Sequence, residues 1–166
     1  MKILFESDSI SIATTLRKGT PKINGVFFRD IKEKVLGKGY ELSLVFVGVD
    51  RMRALNKQHR GKDYATDILS FDLDDHIDDA HEHGDECDHH HGERTAAELE
   101  FGSGEIFINP EKARIKAKQF DRTFDNYLKF LFIHGLFHLK GYDHEDDAGA
   151  EKMEKAETKM RKMFGI

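Results

Sequence analysis

From about Thr123 to Leu139 the chain reads as a single helix that carries two histidines, His134 and His138, four residues apart. A helix turns once every 3.6 residues, so this spacing sets both imidazoles on one face, one turn apart, within reach of a single ion. Gly141 ends the helix and lets the chain turn back, and His144 follows where it can close a triangle with the first two. Three neutral imidazole nitrogens around Zn²⁺ leave a fourth position open to water, the pattern of a catalytic rather than a structural site. An ion held in this way lowers the pKa of water towards ~7 and polarises a phosphoryl oxygen. Zn²⁺ suits such a site best, and Ni²⁺, Cu²⁺ or Fe²⁺ are also compatible with three imidazoles.

The rest of the chain alternates helical and extended patterns. Ile3 to Phe5 begins a short strand. Ile23, Val26, Phe27, Ile31 and Val35 recur at helical spacing between Lys22 and Leu36, with Gly37 and Gly39 ending that helix. Glu41 to Val49 is β-branched and apolar and reads as a central strand. Asp50 fits the N-cap of a helix from Arg51 to about His59, with Met52 and Leu55 inward. Thr66–Phe71 and Gly104–Asn109 read as further strands, and Pro110 suits the first turn of another helix. A last amphipathic helix is expected from about Asp147 to Met163, with Met153, Ala156, Met160 and Met163 inward. With 166 residues and this mixed order, the expected fold is one α+β domain, a small mixed sheet packed with helices, built around a zincin-like metal helix.

Charge is distributed unevenly. Residues 72–100 hold twelve Asp/Glu against one Arg, a local net of −11, which leaves 25 basic and 19 acidic residues elsewhere, a net of +6. A long acidic loop is therefore inserted into a basic body, and a basic body is compatible with a polyanionic partner. This stretch is poor in apolar residues and is expected to remain a loop, in part without order. Six of the ten histidines, with Cys87, fall within 76–91, a density that favours incidental binding of Zn²⁺, Ni²⁺ or Cu²⁺. Cys87 is the single cysteine, so no internal disulfide forms, and Met1 to Ser9 lacks an apolar run of signal-peptide type. No apolar run approaches a membrane span. The reading is a cytoplasmic protein.

The spacing at 134–144 matches that of metzincin proteases, but Gly135 stands where those enzymes carry a glutamate. The protease general base is therefore missing, which argues against a peptide hydrolase. Asp143 and Glu145 flank His144 and are able to orient ligands or to lie as solvated loop charges.

The stretch HGLFHLKGYDH also resembles the signature H-G-x-L-H-L-x-G-Y-D-H of the YbeY family, bacterial endoribonucleases of ribosomal RNA maturation. LNKQHRGKDYATDILSF at 55–71 and GEIFIN at 104–109 resemble two further family segments, in the expected order. Phe137 replaces the usual Leu, and Asp72 stands where a Pro commonly follows the strand, at the point where the insertion begins. The resemblance implies a metal-dependent endoribonuclease specific for single strands, acting in 3′-end maturation of small-subunit rRNA and in ribosome quality control. It implies metal ligation by His134, His138 and His144 and a functional role for Arg60 in a polar turn-like stretch. A planar guanidinium beside a metal would share the charge of a phosphoryl transition state. Arg60, Lys112, Arg114 and Lys116 are further candidates for contact with RNA, the last three from a basic run near Pro110. A non-enzymatic rRNA-binding assembly factor remains the alternative in a different class.

Overall fold

The computed structural model describes residues 1–74, 93–143 and 146–166. Among them the order is β1 (Lys2–Ser7), β2 (Ile10–Thr14), α1 (Gly25–Leu36), β3 (Glu41–Phe46), α2 (Val49–Arg60), β4 (Ile68–Asp72), α3 (Ala96–Glu100), β5 (Ser103–Ile108), α4 (Pro110–Gln119), α5 (Phe124–Leu139) and α6 (Asp147–Phe164). The strands form one mixed sheet in the order β1-β2-β3-β5-β4. The outer pairs β1/β2 and β4/β5 are antiparallel, and the inner pairs β2/β3 and β3/β5 are parallel. The α+β class expected from the sequence is borne out.

Period-2 alternation along β3 divides the molecule into two layers. Leu42, Leu44 and Phe46 face a large core with Ile10 and Ile12 of β2 and Ile106 and Ile108 of β5. Val45 points the other way and joins Met52 and Leu55 of α2 and Leu69 of β4 in a smaller cluster. Helices α1, α3, α4, α5 and α6 all add residues to the large core. At its centre lies α5, whose Leu128, Leu131, Phe132, Ile133, Leu136 and Leu139 are buried. Its start is fixed by Thr123, whose side chain accepts from the Asn126 N–H. A helix apolar around most of its circumference is a core helix, and its few polar side chains sit where they have partners. Lys32 of α1 is also buried, and its ammonium donates to the Lys38 carbonyl at 3.3 Å. Burial pulls its pKa down to about 8.

The structure departs from the sequence expectations at four places. Ile10–Thr14 is a strand, β2, that the pattern did not reveal. Helix α2 starts at Val49 after Gly48, so Asp50 lies in its first turn instead of capping it, where its charge still suits the positive helix end. Residues 96–100 form α3 inside the stretch expected to be a loop. There Thr95 and Glu98 make a reciprocal capping box and Leu99 is buried, so local hydrogen bonds and one anchor outweigh the acidic composition. The helix stop expected at Gly141 is borne out: Lys140 is the C-cap of α5, and Gly141 supplies the left-handed conformation after it, with φ 89°. On α6 the inward stripe is Met153, Glu157 and Met160, with Phe164 packed against the core, and Met163 is 52% exposed. The expectations for 76–91, Cys87 included, lie outside the described residues.

Candidate metal centre

His134 and His138 meet as their spacing requires. Their Nε2 atoms are 3.1 Å apart, and the rings stand at 85° with centroids 4.6 Å apart. Two nitrogens bound at the usual zinc distance to one tetrahedral ion lie about 3.3 Å from each other. The pair is therefore set almost at the separation that a shared ion demands, and the donor set fits a divalent metal. No third His, Cys, Asp or Glu joins them in a metal-binding group among the described residues. His144 and Glu145 lie outside the described residues.

Glu157 of α6 holds one of the two rings. Its Oε1 lies 2.8 Å from His134 Nδ1, and its side chain is only 8% exposed. With Nδ1–H donating to this carboxylate, the lone pair of the imidazole is on Nε2, the atom that faces His138. The interaction fixes both tautomer and ring plane. The sequence contained a signal for it: Glu157 falls four residues after Met153 and three before Met160, an acid on an apolar helical stripe.

The loop that leaves α5 is held closely. The Gly141 N–H donates to the His138 carbonyl and the Tyr142 N–H to the Phe137 carbonyl. The Tyr142 ring packs edge-on against Phe137 at 5.1 Å, and its hydroxyl donates to Glu93 at 2.9 Å. Burial and this carboxylate push the Tyr142 phenol up to about 12. Lys152 of α6 pairs with the other Glu93 oxygen at 2.9 Å. Next to it Arg94 bridges Asp72 and Asp74, and Asp74 accepts from Ser103. Residues 72–74 and 93–94, within the acidic stretch, are thus tied together and docked on the loop that leads to His144.

Arg60 is the last residue of α2 and is exposed. Gly61 follows in the left-handed conformation, and Asn56 holds the next turn by donating to the Tyr64 carbonyl at 2.8 Å. Asp63, the nearest acid in the chain, is taken by Arg53 at 2.6 Å and Lys57 at 3.1 Å. Among the described residues no carboxylate pairs with Arg60, and no hydrogen bond ties it to the histidine pair. The other candidate cations are already engaged or flanked. Lys116 pairs with Asp67 at 2.8 Å. Arg114 lies over the Phe124 ring at 4.3 Å and donates to the Gly19 carbonyl at 3.1 Å. Lys112 is half-buried beside the Asn109 cap. Asp67, just before β4, is buried and joins two helices, accepting from Lys116 of α4 and, at 2.9 Å, from Tyr127 of α5. Burial raises its carboxyl pKa, but these partners outweigh burial and hold it below the ordinary carboxylate value.

Comparison with known proteins identifies the family. The family model for endoribonuclease YbeY matches residues 4–165. The chain is 38% identical over 135 residues to the endoribonuclease YbeY of Limosilactobacillus reuteri, covering 81% of this chain and 80% of that one. It is 40% identical over 127 residues to that of Alkaliphilus metalliredigens, covering 76% and 72%. The chain belongs to the YbeY endoribonuclease family. The solution structure of TM1509 from Thermotoga maritima superposes with a TM-score of 0.55 at 26% identity, over 94% of this chain and 89% of that one. The resemblance drawn from the three sequence segments is borne out.

The structure also explains the glycine that separates this YbeY-family helix from metzincins. A Cβ at Gly135 would stand 3.0 Å from Ile106 Cδ1 and 3.1 Å from Ile68 Cδ1. Position 135 faces the sheet, and its small size lets α5 approach β4 and β5. A glutamate there would be directed into an apolar layer and away from the two imidazoles.

Proposed function

We propose that the chain is a metal-dependent endoribonuclease of single-stranded RNA that matures the 3′ end of small-subunit rRNA in the cytoplasm and takes part in ribosome quality control. One Zn²⁺ is held by His134, His138 and His144. The observation that carries this reading is the pair of Nε2 atoms 3.1 Å apart, with Glu157 fixing the tautomer of one ring. When bound, the ion supplies Lewis acidity towards a phosphodiester and towards water. The chain's own residues perform the rest. His134 and His138 present lone pairs from a rigid core helix, and Glu157 keeps the His134 ring from turning. Arg60, which pairs with no carboxylate among the described residues, binds a phosphate oxygen and shares the charge that develops there. Membership in a family whose relatives bear the name endoribonuclease supports RNA as substrate. The ribosomal small subunit is the proposed partner. No helix among the described residues is long and apolar enough to cross a membrane.

The test compares zinc-loaded wild type with His138→Ala on single-stranded rRNA fragments and on casein. The reading predicts RNA cleavage by wild type, none by the variant, and intact casein. RNA binding without cleavage at any zinc loading would instead mark a non-enzymatic assembly factor.

A further inference from the structure

Beyond the histidines, one turn further along the α5/α6 pair, lies a cluster that the metal chemistry does not use. Phe130 precedes His134 by four residues, and its ring centroid is 6.1 Å from the imidazole. Two guanidiniums flank this ring, Arg122 at 5.0 Å and Arg161 at 5.6 Å from its centroid. Arg161 follows Glu157 by four residues, so α6 sets its acid against His134 and, one turn on, its arginine against Phe130. Arg122 reaches the ring from the turn between α4 and α5. That turn is fixed by Asp121 in the left-handed conformation and by the Arg122 N–H donating to the Ala117 carbonyl at 2.8 Å.

No carboxylate among the described residues pairs with Arg122 or Arg161. Arg161 gives one Nη to Thr158 at 2.9 Å, while its Nε is buried with no hydrogen-bond partner. A buried donor without an acceptor is unfavourable by about 1–3 kcal/mol unless something else supplies the acceptor. Two like charges gathered at one aromatic ring, with no paired carboxylate among the described residues, likewise call for an anion. An oxyanion held by these guanidiniums supplies the missing counter-charge, because a planar fork of N–H donors matches phosphate oxygens.

We propose that Arg122 and Arg161, held by Phe130, form a phosphate subsite for the RNA strand, next to the metal centre. This rests on the RNA-cleaving reading above and extends it: the subsite grips a backbone phosphate adjoining the one cleaved, and it reads charge without reading base identity. Its contribution is to substrate binding, so it moves KM and leaves kcat in place.

The experiment measures equilibrium binding of a short labelled single-stranded RNA against salt concentration in the His138→Ala background, where turnover is absent. Removing one phosphate contact lowers the slope of log K against log salt by about 0.7 for a single strand. Arg122→Gln and Arg161→Gln should each lower the slope by about that amount, and the double variant by about twice as much. Arg122→Lys with Arg161→Lys should restore the slope, since charge returns, which separates lost contact from lost folding. Lys159→Gln, on α6 two residues from Arg161 and so on the opposite side of the helix, should leave it unchanged. In the otherwise wild-type enzyme the double Gln variant should raise KM for RNA cleavage about tenfold at unchanged kcat. An unchanged slope in the double variant, or an equal drop for Lys159→Gln, overturns the subsite. Cleavage by wild type with an unchanged slope in the double variant refutes the subsite alone. An arginine-dependent slope in a protein that never cleaves upholds the subsite and refutes the nuclease reading.

Discussion

Replacing Glu157 tests the most specific structural claim about the centre. The carboxylate lies 2.8 Å from His134 Nδ1 and is almost fully buried, so solvent screens it little. A hydrogen bond to a charged group in such a place contributes about 1.5–3 kcal/mol. If that energy is what holds the ligand nitrogen in its bound orientation, its loss weakens zinc by about 10- to 100-fold, at 1.4 kcal/mol for each factor of ten. Glu157→Gln keeps the shape and an acceptor oxygen but loses the charge, and should fall near tenfold. Glu157→Ala frees the ring and should approach the upper figure, the range found when such outer partners of ligating histidines are removed. Zinc affinity is read by competition with a chromophoric chelator, with circular dichroism to verify the fold. Because six further histidines fall within 76–91, the comparison is made against His138→Ala, which removes a ligand of the proposed centre alone. Both Glu157 variants retaining wild-type affinity within twofold, with the fold intact, would refute the orienting role. Cleavage recovering at saturating zinc is expected, because Glu157 acts through His134 and touches no substrate.

Three other perturbations probe separate parts of the account. Arg60→Ala should leave zinc affinity unchanged and lower kcat for RNA cleavage by about a hundredfold, the scale of one lost donor at a developing oxyanion; unchanged turnover would remove Arg60 from the site. Lys32 has its pKa lowered from 10.5 to about 8, so the folded chain binds fewer protons than the unfolded one between those values, and stability rises with pH across that window. Lys32→Met should abolish up to about 3 kcal/mol of that rise, read as the difference between wild-type and variant denaturation at pH 7 and pH 11. The Asp67 carboxyl is held below its ordinary value, so its stabilisation is present above about pH 4 and is lost as pH falls through the folded value. Asp67→Asn should destabilise by about 1–3 kcal/mol at neutral pH, and the gap from wild type should close on acidification; a pH-independent gap would contradict the charged assignment.

The sequence was most legible where spacing alone dictates geometry. Two histidines four apart in a helix converge whatever the rest of the fold does, and the strand at 41–46 lies in a β-branched apolar run, with short apolar segments marking those at 68–72 and 103–108. Glu157 escaped because the last helix was read from Met153, Ala156, Met160 and Met163 alone, and a hydrophobic stripe passes over an acid in its midst. The structure rotates that stripe so that Glu157 and Phe164 face inward and Met163 does not. Strand β2 escaped because it is five residues long and separated from β1 only by Asp8 and Ser9. Helix α3 was masked by acidic composition, although Thr95 and Glu98 spell its capping box. The ties of Glu93 to Tyr142 and of Arg161 to Phe130 join residues far apart in the chain, and no local pattern reports such contacts.

The most direct measurement is a zinc titration of the metal-stripped chain with cleavage of a single-stranded small-subunit rRNA fragment as the readout, run beside His138→Ala. The account predicts no cleavage without metal, a rate that climbs with added zinc to a plateau in wild type, and a flat line in the variant. Cleavage that is indifferent to zinc, or equal in the two proteins, would contradict it.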